Sequence, residues 1–416
     1  MNYSAFMKSS SKAAELPAVG KQDRASNRVP SLDGLRAISI ALVLIHHLAG
    51  TQYSFMPASF ANALGLGELG VRVFFVISGF LITKLLLQEL ETGGSIHLAK
   101  FYFRRTFRIF PPYYALILAL VFLQSAGLIV LNDGDVLHAL TYTSNYNPGR
   151  SWYLGHTWSL AVEEQFYLLW PAALLITGKR RGLYGAALLI VLCPLIRLGM
   201  WQFLAETRSG IGVRFETVAD AIAIGCILAG TRDWLKRQSR YNRLLASRLF
   251  ILIPMAVLFA NALHERPRIY FFLGYTVTII GTALCIDWCV TYHAGRIGRF
   301  LNSAPMVFIG VMSYSIYLWQ QIFLNRGSAS PASQFPLNII LVILLSIASY
   351  YLIERPSLKL RRRLDRTIFG GKRLPVTLAQ RQFEQNPVIT SLITEPEQII
   401  VPGEVATAGA GDQGVQ

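Results

Sequence analysis

Long apolar stretches alternate with short polar ones along most of the chain. Ten apolar stretches stand out, at approximately residues 35–50, 71–90, 113–131, 158–177, 183–203, 216–231, 249–264, 271–292, 305–324 and 337–353. An α-helix needs roughly 20 apolar residues to cross a bilayer comfortably, and several of these stretches are shorter. The pattern predicts an all-α polytopic membrane bundle of about ten transmembrane helices. The first and sixth stretches are the least apolar and carry polar residues, as helices lining a site do.

Lysine and arginine give the bundle a direction. With the N-terminus in the cytoplasm, the N-terminal tail, the loops and the C-terminal segment as far as residue 373 on that side hold 28 Lys and Arg, and the loops on the other side hold six. The six are Arg150, Arg208, Arg214, Arg266, Arg268 and Arg326. Short loops rich in Lys and Arg stay cytoplasmic, so the expected orientation is N-in and C-in. The organisation read from the chain is a disordered cytoplasmic tail over 1–30, a transmembrane unit over 31–356, and a basic juxtamembrane segment with a disordered cytoplasmic tail over 357–416. Residues 1–30 have no long apolar core and do not read as a cleavable signal peptide. No internal repeat and no appended globular enzyme domain is apparent.

Composition agrees with this picture. Of 416 residues, 53% are hydrophobic and 15% charged, with mean hydropathy +0.42; soluble domains carry about a quarter charged residues. The net charge of +16 would suggest nucleic acid were it not concentrated in the loops on one side, so no nucleic-acid partner is expected. Cys193, Cys226, Cys285 and Cys289 all fall in apolar stretches. They read as small apolar residues at helix contacts, with neither a disulfide framework nor a metal site.

Candidate chemistry begins on the first helix, in SLDGLRAISIALVLIHHLAG (31–50). Eleven residues separate Arg36 from His47, close to three full turns, so the two side chains share a face about 16 Å apart along the axis, with His47 deep in the bilayer. His46 is rotated by about 100° and points elsewhere. An ionisable residue inside a span is a candidate functional group; a structural hydrogen bond to a neighbouring helix is the other reading. The segment FYFRRTFRIFPPYY (101–114) puts Arg104 and Arg108 on one face of a short helix, with Arg105 beside them. Guanidinium groups suit bidentate phosphate binding, and they also suit anionic lipid at a membrane surface. Pro111 and Pro112 fit the first turn of the following helix, where a missing N–H costs little.

In HTWSLAVEEQFYLLWP (156–171), Glu163 and Glu164 enter the fourth span together. At least one should face inward, paired with a cation or protonated, and a carboxylate beside His47 would orient the imidazole as in a catalytic dyad; a structural ion pair is the alternative. Weaker signals are Ser78-Gly79, which permits close helix approach, Asp220 inside a span, and the motifs MSYSIYLW (312–319) and IERP (353–356). Asp33 is placed to cap the first helix. His156 reads as a solvated residue at a helix start, and Asp133 with Asp135 as a turn.

Taken together and in order, LDGLRAISIALVLIHH, GVRVFFVISGFLIT, RRTFRIFPPYY, HTWSLAVEEQFYLLWP, SYSIYLW and IERP resemble the membrane acyltransferase 3 family, bacterial integral-membrane carbohydrate O-acyltransferases. The resemblance implies transfer of an acyl group, most commonly acetyl, from cytoplasmic acyl-CoA to a hydroxyl of a carbohydrate or glycolipid acceptor on the far side of the bacterial cytoplasmic (inner) membrane. Carried over by motif, it implies His47, Glu163 and Glu164 as catalytic residues and Arg36, Arg104, Arg105 and Arg108 as the acyl-CoA-binding set. Asp33, Ser78, His156, Trp158, Ser159, Asp220 and Tyr314 are implied as substrate-binding candidates, and no metal. The expected mechanism docks the CoA phosphates on the arginines, threads the pantetheine arm inward, and uses His47 as general base on the acceptor hydroxyl, a role worth about 10²- to 10⁴-fold. One departure is visible: relatives often carry a histidine after SYSIYLW, where this chain has Gln320. The rival reading is a transporter or flippase that uses the buried charges as a pathway.

Overall fold

Apolar stretches with no hydrogen-bonding solvent around them must satisfy their own backbone, and helices do so locally. The computed structural model describes residues 29–369, and among these every regular element is helical. The ten longest helices are α1 (Leu32–Leu48), α2 (Leu66–Gly93), α3 (Leu98–Ser125), α4 (Thr157–Phe203), α5 (Asp220–Arg237), α6 (Leu252–Ala262), α7 (Tyr275–Thr291), α8 (Ala304–Phe323), α9 (Leu337–Ser349) and α10 (Arg355–Ile368). The compact unit ends at Leu360. The expected tails lie outside the described residues apart from Val29, Pro30 and the segment up to Phe369.

Seven helical stretches among the described residues are long and apolar enough to cross a membrane. The difference from the expected ten has identifiable causes. One stretch, Trp152–Phe203, contains α4, which Gly178 breaks with non-helical angles (φ 75°, ψ 172°). Helix α1 is only 17 residues long, and α5 carries Asp220, Arg232, Asp233, Lys236 and Arg237. Both are interior helices. Ile40, Val43, Ala221, Ile222, Ala223 and Cys226 are essentially inaccessible, whereas Leu118 and Phe122 on α3 and Leu168, Ile176 and Val191 on α4 are exposed. A soluble protein rarely exposes so much apolar surface; on membrane helices it is the lipid-facing side.

The α2–α5 crossing is the most extensive helix pair, and α1 lies between α2 and α8. Small residues allow these approaches. Gly79 lies against the Ile222 backbone, Gly225 against the backbone of Val76 and Phe80, and Gly310 of α8 against the Asp33 backbone. A Cβ at Gly225 would meet main chain, which cannot rotate away. Gly225→Val should therefore cost about 1–3 kcal/mol by overpacking, read as a lowered unfolding temperature in detergent. Gly93→Ala, with nothing within 4 Å of the added carbon, should leave that temperature unchanged.

Two local expectations are corrected. Pro111 and Pro112 do not start a helix but lie inside α3, which begins at Leu98. An interior proline orphans the carbonyl four residues earlier; here the Ser357 hydroxyl donates to the Phe107 carbonyl at 2.6 Å, replacing the bond Pro111 cannot make. Asp33 is not the cap of α1. Ser31 is, in a left-handed conformation (φ 66°), and its backbone N–H donates to Asn302 Oδ1 at 2.8 Å.

Candidate functional site

Helix α1 carries the site. His47 lies in its last turn, next to the C-terminal Leu48. His47 Nδ1 is 2.7 Å from Gln320 Oε1 on α8. The ring meets Trp152 edge-on, with centroids 5.4 Å apart. The His46 ring meets that of His47 edge-on, with centroids 5.3 Å apart, and packs near Gly67 at the start of α2, and the Arg326 guanidinium donates to the His46 carbonyl.

Next to Gln320, Gln321 holds the start of α4. Its Oε1 accepts from the His156 backbone N–H at 3.0 Å and lies 2.7 Å from His156 Nδ1, while its carbonyl accepts from Trp152 Nε1 at 2.8 Å. The Tyr317 hydroxyl donates to the His156 carbonyl at 3.1 Å, with Ser159 Oγ 2.6 Å from it. His156, expected in solvent, is buried: its position ahead of the helix is covered by α8, which linear sequence does not reveal.

Eleven residues earlier on α1, Arg36 lies within electrostatic reach of Arg108, Glu163 and Glu354. Its neighbours belong to α3, α4 and the π-helical turn Tyr350–Glu354 that follows α9. Glu354, of the IERP motif, accepts from Ser315 Oγ at 2.9 Å. Arg105 Nε donates to Glu164 at 3.2 Å, and its guanidinium lies 3.3 Å from the centre of the Tyr167 ring. The Tyr167 hydroxyl in turn contacts Ser78, and Ser78 is within hydrogen-bonding reach of Glu163. Arg108 retains solvent access although Arg36, Arg105, Glu354 and Tyr167 lie near it. Arg104 is on the exposed side of α3.

The expected glutamate beside the imidazole is not there. Glu164 is committed to Arg105, Glu163 sits with Ser78, Arg36 and Arg105, and an amide occupies the orienting position at His47. The physical reason is the depth of each group: Glu163 is two turns into α4, level with the arginines, while the start of α4 faces His47. Trp158 packs edge-on against Phe75, with centroids 5.9 Å apart, and the Tyr314 hydroxyl donates to the Ile109 carbonyl at 2.9 Å. Asp220 belongs to a separate buried pair, 2.8 Å from Arg197 Nη1 with both side chains at 0% exposure. Arg197 also donates to the Thr217 carbonyl at 2.6 Å and stacks over Tyr275 at 4.1 Å. Sequence reading missed Gln320, Gln321 and Arg197 as partners. Two consecutive amides and one arginine within apolar stretches were the available signals, since each needs a partner where water is absent.

No cluster of three or more His, Cys, Asp or Glu side chains that could hold a metal ion occurs among the described residues, and all four cysteines are free thiols. The donor set at the Arg36 end is instead guanidinium and carboxylate, and that at the His47 end imidazole, amide and indole.

Comparison with known proteins gives the class. An acyltransferase domain family matches residues 29–355, and the chain belongs to that family. A Staphylococcus aureus (strain COL) protein provisionally named an O-acetyltransferase is 30% identical over 368 residues, covering 79% of this chain and 57% of that protein. A Bacillus subtilis (strain 168) protein provisionally named a peptidoglycan O-acetyltransferase, YrhL, is 28% identical over 79% of this chain and 54% of its own length. The O-acetyltransferase OatA of S. aureus (strain MRSA252) is 28% identical over 92% of this chain and 64% of its own. The chain thus spans less than two thirds of the length of these relatives. No solved structure matches it.

Proposed function

We propose that this protein is a membrane O-acetyltransferase that moves an acetyl group from cytoplasmic acetyl-CoA to a hydroxyl of an extracytoplasmic carbohydrate. The observation that carries the reading is the division of α1 into a guanidinium end, Arg36 among Arg105 and Arg108, and an imidazole end, His47 on Gln320, eleven residues apart. About ten crossings follow when the bend at Gly178 divides one stretch and the interior helices α1 and α5 are counted. N-in and C-in orientation in a bacterial cytoplasmic membrane then puts the arginines at the cytoplasmic side.

The guanidinium end suits a phosphorylated acyl donor, because guanidinium groups bind phosphate oxygens in pairs. Arg36 and Arg108 carry that role, with Arg104 outside them; Arg105 is already bound by Glu164 and Tyr167 and holds the wall. His47 acts as general base. It takes the proton of the acceptor hydroxyl as that oxygen attacks the thioester carbonyl, and returns it to the leaving thiolate. The name of the B. subtilis relative supports a cell-wall glycan, peptidoglycan, as acceptor. Transport finds no comparable support, since the Arg197–Asp220 pair is closed and dry.

Purified protein in detergent should release CoA thiol from acetyl-CoA only when a carbohydrate acceptor is added. Arg108→Ala should raise KM for acetyl-CoA about 10- to 100-fold, the loss of one charge-assisted phosphate contact of about 1.5–3 kcal/mol, with kcat changed far less. Absence of turnover with any glycan acceptor, together with unchanged acetylation of surface glycans in cells lacking the protein, would refute the function.

A further inference from the structure

We propose that Gln320 is the positioning residue of the site, accepting a hydrogen bond from His47 Nδ1–H and so holding the imidazole in the tautomer that leaves Nε2 as the base. This rests on the reading of His47 as base. Gln320 Oε1 and His47 Nδ1 are 2.7 Å apart, and Gln320 is wholly buried on α8, so water does not compete for the contact. A carbonyl oxygen only accepts, so the proton must sit on Nδ1. Which nitrogen works is decided by what the other one is bonded to.

The neighbouring residue makes the same kind of contact. Gln321 Oε1 receives the His156 backbone N–H, a group that can only donate, so that atom is the amide oxygen, and His156 Nδ1 beside it carries a proton too. Consecutive amides at the end of α8 thus hold two imidazoles in the same way. The opposite orientation of Gln320 would turn its NH₂ toward Nδ1, move the ring proton to Nε2 and leave no base.

An amide also differs from the carboxylate expected from sequence. The titratable and charged groups facing the His47 ring are His46 on α1, His156 at the start of α4 and Arg326 beyond α8. Gln320 orients the ring among these without placing a negative charge beside it. The transfer then balances. The hydroxyl oxygen bonds to the thioester carbonyl carbon as Nε2 takes its proton, the carbon–sulfur bond breaks, and the thiolate takes that proton from Nε2. The products are ester, thiol and neutral imidazole.

The test uses the full chain in detergent with ¹⁵N-labelled histidine, the His47 signal being identified by its loss in His47→Ala. Wild type is expected to show His47 with a protonated Nδ1 and a bare Nε2; protonation at Nε2 overturns the proposal. Gln320→Leu should give a mixture of tautomers and lower kcat about 10- to 100-fold, as loss of a histidine's orienting partner does, with KM for acetyl-CoA within twofold. Gln320→Glu keeps the acceptor, so the wild-type tautomer should persist while the acid limb of the kcat profile moves to higher pH, because a carboxylate favours the imidazolium. Unchanged kcat in folded Gln320→Leu, or an unmoved profile in active Gln320→Glu, also overturns it. Lack of acetyl transfer by wild type would instead reject the function reading, and the ¹⁵N spectrum would still decide the tautomer.

Discussion

His47→Ala is expected to abolish acetyl transfer from acetyl-CoA to a glycan acceptor while leaving a folded, membrane-inserted protein. General-base assistance is worth about 10²- to 10⁴-fold, and nothing else at this end of α1 replaces it. His46 is on another face, and the nearest other imidazole, His156, has its Nδ1 held by Gln321 and is buried. The structural cost is small by comparison. The ring makes one hydrogen bond and lies in the last turn of α1, so its loss removes about 1 kcal/mol from a helix otherwise packed along its length by Ile40 and Val43. Radiolabelled acetyl transfer and thermal unfolding, measured on the same preparation, separate the two effects. Full activity in the variant would remove His47 from the chemistry.

The second large effect is on stability. Arg197→Ala should destabilise the protein by about 3–5 kcal/mol, because it strands the Asp220 carboxylate in a dry interior. The pair has no solvent access on either side, and Arg197 additionally bonds the Thr217 carbonyl and stacks on Tyr275. These contacts tie α4 beyond Gly178 to the start of α5 and to α7. The double variant Arg197→Met with Asp220→Leu should recover most of the loss, since apolar residues of similar volume replace a buried ion pair with little penalty. Unfolding temperature in detergent reads both. A single variant as stable as wild type would mean that water reaches the pair.

Much of this arrangement was legible in the linear chain. Apolar run lengths indicated helices throughout, and family motifs in order from Leu32 to Pro356 indicated an acyltransferase domain, which the family match over 29–355 shows. Helical geometry put Arg36 and His47 eleven residues apart on one rod; in the structure Arg36 lies near residues of α3, α4 and the turn after α9, and His47 near Gln320 of α8 and Trp152. Less was legible where contacts decide. The carboxylates of Glu163 and Glu164 were expected near the imidazole because both motifs belong to one site. Their level on α4 instead pairs them with arginines and serine. Asp220 looked like a site residue until Arg197 was seen against it. Pro111 and Pro112 looked like a helix start because the hydroxyl that rescues the orphaned carbonyl belongs to Ser357, some 250 positions away.

By itself the sequence determined the helical class and the spacing of charge along α1, because these follow from local periodicity and from the cost of polar groups in lipid. Only the tertiary structure decided that the partner of His47 is an amide and that of Asp220 an arginine. Those choices depend on which helices meet at which depth, and side chains far apart in the chain satisfy one another only once the bundle has excluded water.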